Sequence, residues 1–352
     1  MTEKFIKERN LPKNLGKSDE LSDFLLRREE IKRVLSSRVY GEFPERPEHL
    51  RVSVLGSDES FSAGRAVIRR LEFTVTLQGE EYSFYASSVI PKDKPCCPAI
   101  IHISYSNEIP NRFEPTEELL DEGFAVFSID YKSVTEDGGN FRRGIAGKLV
   151  NGRRNSKATG KIAIWAWSAM RVMDYILSLP EIDKENVAVA GHSILGKSAL
   201  LAGAFDERFK FVIANCSGVA LMRGSQSSER EKLKNEKPYL FCPKYSKSCT
   251  EPSGKSSFDM HFLLSLIAPR YLLVGSALGD YGTDYEGELL SCAAASEAYK
   301  IFGLKGLMFE GEIPYCPIKL QGGEISFHLR TGDSYFARED WRNYIEFMKK
   351  RL

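Results

Sequence analysis

Beyond residue 96 the hydrophobic positions fall into short unbroken runs separated by longer stretches with helical spacing. "PAIIHISY", "FAVFSIDY", "NVAVAG", "FKFVIANCSG", "RYLLVGSALGD" and "GLMFEG" predict buried strands. Between them, "PTEELLDEG", "GKIAIWAWSAMRVMDYILSL", "SALLAGAF", "EGELLSCAAASEAYKIF" and the closing "AREDWRNYIEFMKKRL" predict helices. Strands without a polar face, alternating with helices, predict a mostly parallel sheet covered on both sides. Residues 51–90 differ. There "LRVSVLG", "RAVIRRLEFTVTL" and "EYSFYASSVI" alternate, which predicts antiparallel strands at the start of the sheet. Residues 18–37 read as an amphipathic helix with Ser18 as its N-cap, and "YGEFPERPEHL" follows as a proline-punctuated connector. The expected organisation is an N-terminal helical segment, 1–37, and a single α/β domain, 38–352. A polar, irregular excursion at 222–257 is expected to lie over the C-terminal edge of the sheet, where α/β proteins build their sites.

The stretch "VAVAGHSILGKSALLAGAF" carries the chemistry. A serine on a tight turn between a buried strand and a helix is the nucleophile elbow of the α/β-hydrolase fold. Gly191 and Gly196 fit that reading, because chain beside a strained nucleophile must approach without Cβ clashes. The helix that follows points its free N–H groups at Ser193, which favours a developing oxyanion. The backbone N–H of Ile194 and one from the loop near Ser104 and Tyr105 are the expected oxyanion donors.

A nucleophilic serine needs a base, and the base an orienting acid; in this fold the chain order is serine, acid, histidine. The chain has five histidines. His49 and His102 precede Ser193, His192 adjoins it with its side chain expected to point elsewhere, and His261 reads as a structural residue on a helix. His328, read as lying in a loop between the last strand and the final helix, is the expected base. The acid should follow "RYLLVGSA", where Asp280 comes first and Asp284 is the alternative. In this mechanism His328 takes the serine proton, Ser193 forms an acyl-enzyme, and water then releases the acid.

The formal net charge is +1 with acidic and basic residues interspersed, so neither nucleic acid nor a membrane surface is an expected partner. The polar N-terminus does not read as a secretory signal, and no run of about 18 apolar residues is present; the chain reads as cytoplasmic. The seven cysteines are irregularly spaced and read as reduced structural thiols. No metal or organic cofactor is implied.

Several segments together resemble the glucuronoyl esterase family of carbohydrate esterases and its acetylxylan-esterase-like bacterial relatives. They include "YGEFPERPEHL", "IAIWAWSAMRVMDYI", "GHSILGKSALLAGAFDERFKFVIANCSG", "SFDMHFLLSLIAPRYLLVGSA", "DYEGELLSCAAASEAYKIFGLKGL" and "FHLRTGD". The resemblance runs from about residue 38 to the C-terminus. It implies a serine carboxylic ester hydrolase whose substrate is a small-molecule or oligosaccharide ester, with Lys197 contacting that substrate. It also marks departures. The family's arginine after the serine is Ile194, an acid position many members use is Cys216, a pocket tryptophan is Gly282, and a second histidine is Glu324. These departures keep two alternatives open: a non-catalytic relative that binds a ligand in an inherited cleft, and another serine hydrolase such as a peptidase or thioesterase.

Overall fold

The structure is a computed structural model that describes residues 10–15, 20–150, 155–219, 229–245, 258–309 and 315–352. Ten strands form one sheet: β1 (His49–Asp58), β2 (Ala66–Leu77), β3 (Glu80–Pro91), β4 (Cys97–Ser104), β5 (Ala125–Asp130), β6 (Ile182–His192), β7 (Phe211–Asn215), β8 (Tyr271–Ala277), β9 (Ile318–Leu320) and β10 (Ile325–Arg330). Their order is β1-β2-β3-β5-β4-β6-β7-β8-β10-β9. The β1–β3 hairpins and the β3–β5 and β10–β9 pairs are antiparallel, and the run β5-β4-β6-β7-β8-β10 is parallel. This is the α/β-hydrolase architecture expected from the alternation of apolar runs and helices.

The principal helices are α1 (Leu21–Leu35), α2 (Thr116–Asp121), α3 (Lys161–Ile176), α4 (Ile194–Phe205), α5 (His261–Ser265), α6 (Tyr285–Lys300) and α7 (Arg338–Lys349). Alternation along each parallel strand divides the core in two. Ile101, Ile103, Val187, Val189, Val212 and Val274 face α3 and α4, where Trp165 and Trp167 are fully buried. Ile100, Ala188, Ala190, Phe211, Ile213 and Leu273 face α7. α7 earns its place by spacing: Trp341, Tyr344, Ile345 and Met348 repeat at i, i+3, i+4, i+7 and make one apolar stripe. α1 packs Phe24, Ile31 and Leu35 into the larger core, and buried Arg28 donates to the Ala268 and Leu266 carbonyls.

Two expectations change. "GLMFEG" is not a strand over its described residues; Leu307 makes one isolated bridge to Ile325, and Met308 is exposed. Three apolar residues are too few to bury a strand between neighbours. His328 lies inside β10 rather than in a loop. Ile325, Phe327 and Leu329 point into the larger core, while Ser326, His328 and Arg330 turn to the α7 face. These polar residues look like loop in sequence because the helix that satisfies them arrives later. The 222–257 excursion is described only over 229–245, with a short helix at Glu229–Glu236; the rest, like Ser18, lies outside the described residues.

Asp340 fastens α7 to the sheet. Its Oδ1 accepts from His328 Nε2 at 2.7 Å, and its Oδ2 from Arg330 Nε at 2.9 Å and the Ala337 N–H at 2.9 Å. All three side chains are buried. Removing the carboxylate strands a buried guanidinium, and loss of one partner from such a cluster costs about 3–5 kcal/mol. Asp340→Ala should therefore lower unfolding free energy in urea by that amount; a loss under about 1 kcal/mol would show that the cluster is not what holds α7.

Candidate active site

β6 ends at His192 and α4 begins at Ile194, so Ser193 alone makes the turn. Its φ of 55° and ψ of −124° lie outside the regions open to ordinary side chains, a conformation that costs about 1–3 kcal/mol and is held only by its surroundings. The Ser193 N–H donates to the Asn215 carbonyl at 2.8 Å, and its carbonyl accepts the Lys197 N–H at 3.1 Å. A Cβ at position 191 would sit 2.2 Å from the Leu195 carbonyl oxygen, so only glycine lets the helix fold back this closely. At position 196 it would meet the Gly191 oxygen at 3.0 Å and Ser217 Cβ at 3.1 Å. Ser193 itself is half-buried, open to the C-terminal edge of the sheet.

Around this serine the structure gathers the Ile194 backbone N–H and the Tyr105 side chain. Ile194 is the first residue of α4, so its N–H has no partner within the helix. Its side chain turns inward and is buried. Ile103 pairs with Gly191, and continuing that register brings Tyr105 beside Ser193. The Tyr105 hydroxyl meets the Ser193 side chain and the Leu195 backbone N–H. Burial raises the phenol's pKa far above its usual value, and those two hydrogen bonds only partly oppose this, so the hydroxyl keeps its proton. Its ring is packed by Tyr131 at 5.2 Å, Phe113 at 5.8 Å and His192 at 6.3 Å between centroids. Ser104 is the fully buried end of β4, and its Oγ accepts the Ser106 N–H at 3.1 Å, shaping the turn that carries Tyr105.

The expected base does not join them. His192, Asn215, Gly275 and His328 stand in register on four adjacent strands. Three strand spacings of about 4.8 Å separate the His192 and His328 backbones by about 14 Å, whereas a base must come within about 3 Å of the serine oxygen. The space between is filled. Asn215 Oδ1 bonds His192 Nδ1 at 2.7 Å, and Asn215 Nδ2 lies 3.3 Å from the Tyr344 hydroxyl. The Tyr344 hydroxyl and the His328 ring occupy the volume a Cβ on Gly275 would take. His328 thus belongs to the interior and takes Asp340, not Asp280, as its acid. Sequence order missed Asp340 because it searched after β8 for an acid that α7 supplies; the only signal was an acidic residue in that helix's first turn.

The other three histidines are also engaged or distant. His102 Nδ1 bonds buried Glu114 at 2.7 Å, His261 Nε2 meets the Pro12 carbonyl at 3.1 Å, and His49 is exposed at the start of β1. His192 is nearly buried against Phe336, and burial lowers its pKa despite the Asn215 bond.

Asp280 lies on the rim after β8, half-buried, with Oδ1 accepting the Gly282 N–H at 3.1 Å. Among the described residues His328 takes its acid from Asp340 rather than from Asp280. Asp284 caps α6 through the Gly287 N–H at 2.8 Å. Lys197 is buried, and its Nζ donates to the Ser217 carbonyl below the elbow. Cys216 follows β7 with φ of +44°, and burial first, then Glu288, pushes its thiol pKa up. Among the described residues no group of His, Cys, Asp and Glu could hold a metal ion, and no helix is long and apolar enough to cross a membrane.

A strained serine between a buried strand and a helix, on this sheet, defines a member of the α/β-hydrolase class. The family follows from comparison with known proteins. A family model described as "Glucuronyl esterase, fungi" matches residues 73–303, and the chain belongs to that family. It is 38% identical over 191 residues to the carbohydrate esterase MZ0003 from an unknown prokaryotic organism, covering 53% of this chain and 44% of that one. It is 25% identical over 277 residues to a 4-O-methyl-glucuronoyl methylesterase from Podospora anserina, covering 74% and 53%. The chain thus spans about half the length of these curated relatives. The solved glucuronoyl esterase from Solibacter usitatus superposes with a TM-score of 0.86 at 26% identity over 97% of each chain.

The two buried carboxylates set an acid limit on the fold. Burial pushes both up, but His102 with the Ser128 and Thr116 hydroxyls overcomes this at Glu114, and His328 with Arg330 does so at Asp340. Both net shifts are downward, so the native state holds fewer protons than the unfolded chain. Their stabilisation is present above the unfolded values of about 4 and is lost as pH falls through the folded ones. Urea midpoints should be level from about pH 7 to 5 and fall steeply below about pH 4; Glu114→Gln should blunt that fall, and an unchanged acid limb would contradict the assignment.

Proposed function

We propose that the chain hydrolyses carbohydrate-linked carboxylic esters, of the glucuronoyl or acetyl kind, through Ser193 and an acyl-enzyme. The observation that carries this reading is the elbow: a non-glycine residue held at positive φ, with the Ile194 N–H and the Tyr105 hydroxyl beside its oxygen. Family membership and the names of the relatives support an ester of a sugar acid as substrate. Ser193 attacks the carbonyl carbon, the C=O electrons move to oxygen, and the serine proton passes to water in the cleft. Expulsion of the alcohol, protonated by water, leaves the acyl-serine for hydrolysis. Without an imidazole in reach, catalysis rests on the oxyanion donors and on binding. In serine proteases loss of the histidine costs about 10⁶ in kcat while about 10³–10⁴ over water survives.

A second reading, a relative that binds a carbohydrate ester without turning it over, is favoured by His328 being committed to Asp340. One experiment separates the two. Intact mass spectrometry after a fluorophosphonate should show one adduct on wild type and none on Ser193→Ala. Methyl glucuronate and p-nitrophenyl acetate should be hydrolysed about 10³–10⁴ faster than the background. Folded wild type without adduct or turnover would overturn the esterase reading and leave the binding relative.

A further inference from the structure

The side chain after a nucleophilic serine can brace an oxyanion, but here it is Ile194, apolar and turned into the core. Another side chain fills that place from the neighbouring strand. Tyr105 follows the end of β4 two residues beyond the Ile103–Gly191 pair, so the same register sets it beside Ser193 at the elbow. The ring packs against Tyr131, Phe113 and His192, which limits its movement. The loop beneath is fixed in turn. Glu114, fully buried, takes hydrogen bonds from Thr116 and Ser128 and pairs with His102, while the Trp341 indole N–H donates to the Phe113 carbonyl at 2.9 Å. A phenol held this firmly needs no reorganisation when charge appears, which is the condition for strong electrostatic stabilisation.

We propose that the Tyr105 hydroxyl is the side-chain donor of the oxyanion hole, giving a hydrogen bond to the substrate oxygen as Ser193 attacks. The Leu195 backbone lies close to the phenol oxygen, and with Ser193 it partly offsets the effect of burial. Charge on the nearby Asp137 raises the phenol's pKa further, beyond the effect of burial, and the carboxylate itself is taken by the Tyr239 hydroxyl at 2.8 Å and by Lys237. Tyr105 therefore acts as a donor that keeps its proton, not as a base. Its role is distinct from the backbone donation at Ile194, and the two donors approach from different strands.

This rests on Ser193 being the nucleophile, so the test measures labelling and turnover together. Second-order fluorophosphonate labelling and p-nitrophenyl acetate kinetics are compared for wild type, Tyr105→Phe and Tyr131→Phe, with thermal melting of each. Loss of one oxyanion donor typically costs about 10²-fold or more. Tyr105→Phe should label and turn over about 100-fold more slowly, with KM within about threefold of wild type and an unchanged melt. Tyr131→Phe, which alters the packing neighbour alone, should match wild type. Should Tyr105→Phe melt early, 3-fluorotyrosine at 105 replaces it; its more acidic hydroxyl should raise the labelling rate. Wild-type rates in Tyr105→Phe, or no response to fluorination, overturn the donor role while leaving the nucleophile intact. An unlabelled wild type overturns the functional reading and this one with it.

Discussion

Asp340 decides what the active site contains. One oxygen holds His328 and the other holds Arg330 and the start of α7, and all three side chains are buried. A carboxylate in that position must stay ionised and paired, because burying it alone would cost several kcal/mol. The pairing ties the last helix to β10, and that helix supplies Trp341, Tyr344, Phe347 and Met348 to one half of the core. The same bond takes the imidazole that chain order marks as a catalytic base and commits it to the interior.

What is left at the sheet edge is one half of a serine hydrolase. The half proposed to bind charge has its parts in place: a strained serine, a helix N-terminus, and a phenol close to the serine. The half that moves protons is not assembled from the five histidines. These halves are physically separable. Oxyanion stabilisation depends on backbone and ring geometry fixed by glycines and aromatic packing, whereas proton transfer depends on a side chain crossing from another strand. Strain at Ser193 persists because Gly191 lets Leu195 close over it, and this is independent of what stands on β10. The family's architecture is kept, with a TM-score of 0.86 to a solved glucuronoyl esterase, whatever side chain stands on β10.

Much of this was legible in the chain. Continuous apolar runs at β4, β5, β6, β7 and β8 announced a buried parallel core, alternation at β1 to β3 announced the antiparallel flank, and the glycines around Ser193 announced the elbow. What stayed hidden has one cause: a sequence shows periodicity but not which elements face each other. Ser326, His328 and Arg330 look like loop because they are polar, yet they alternate with Ile325, Phe327 and Leu329 as a strand must. Their partner stands on a helix that sequence order did not connect to them. Tyr105 draws attention in sequence only through its backbone; that its ring lies near Ser193 follows from the β4–β6 register, which the sequence does not show.

The most direct measurement is the pH dependence of fluorophosphonate labelling at Ser193, from about pH 5 to 9, where an ordinary imidazole titrates. Since no histidine activates the serine, the rate should climb steadily with hydroxide, and His328→Gln should follow the same line if its fold holds. A rate that levels off above an apparent pKa near 6.5, with the plateau lost in folded His328→Gln, would contradict the account and return His328 to the active site.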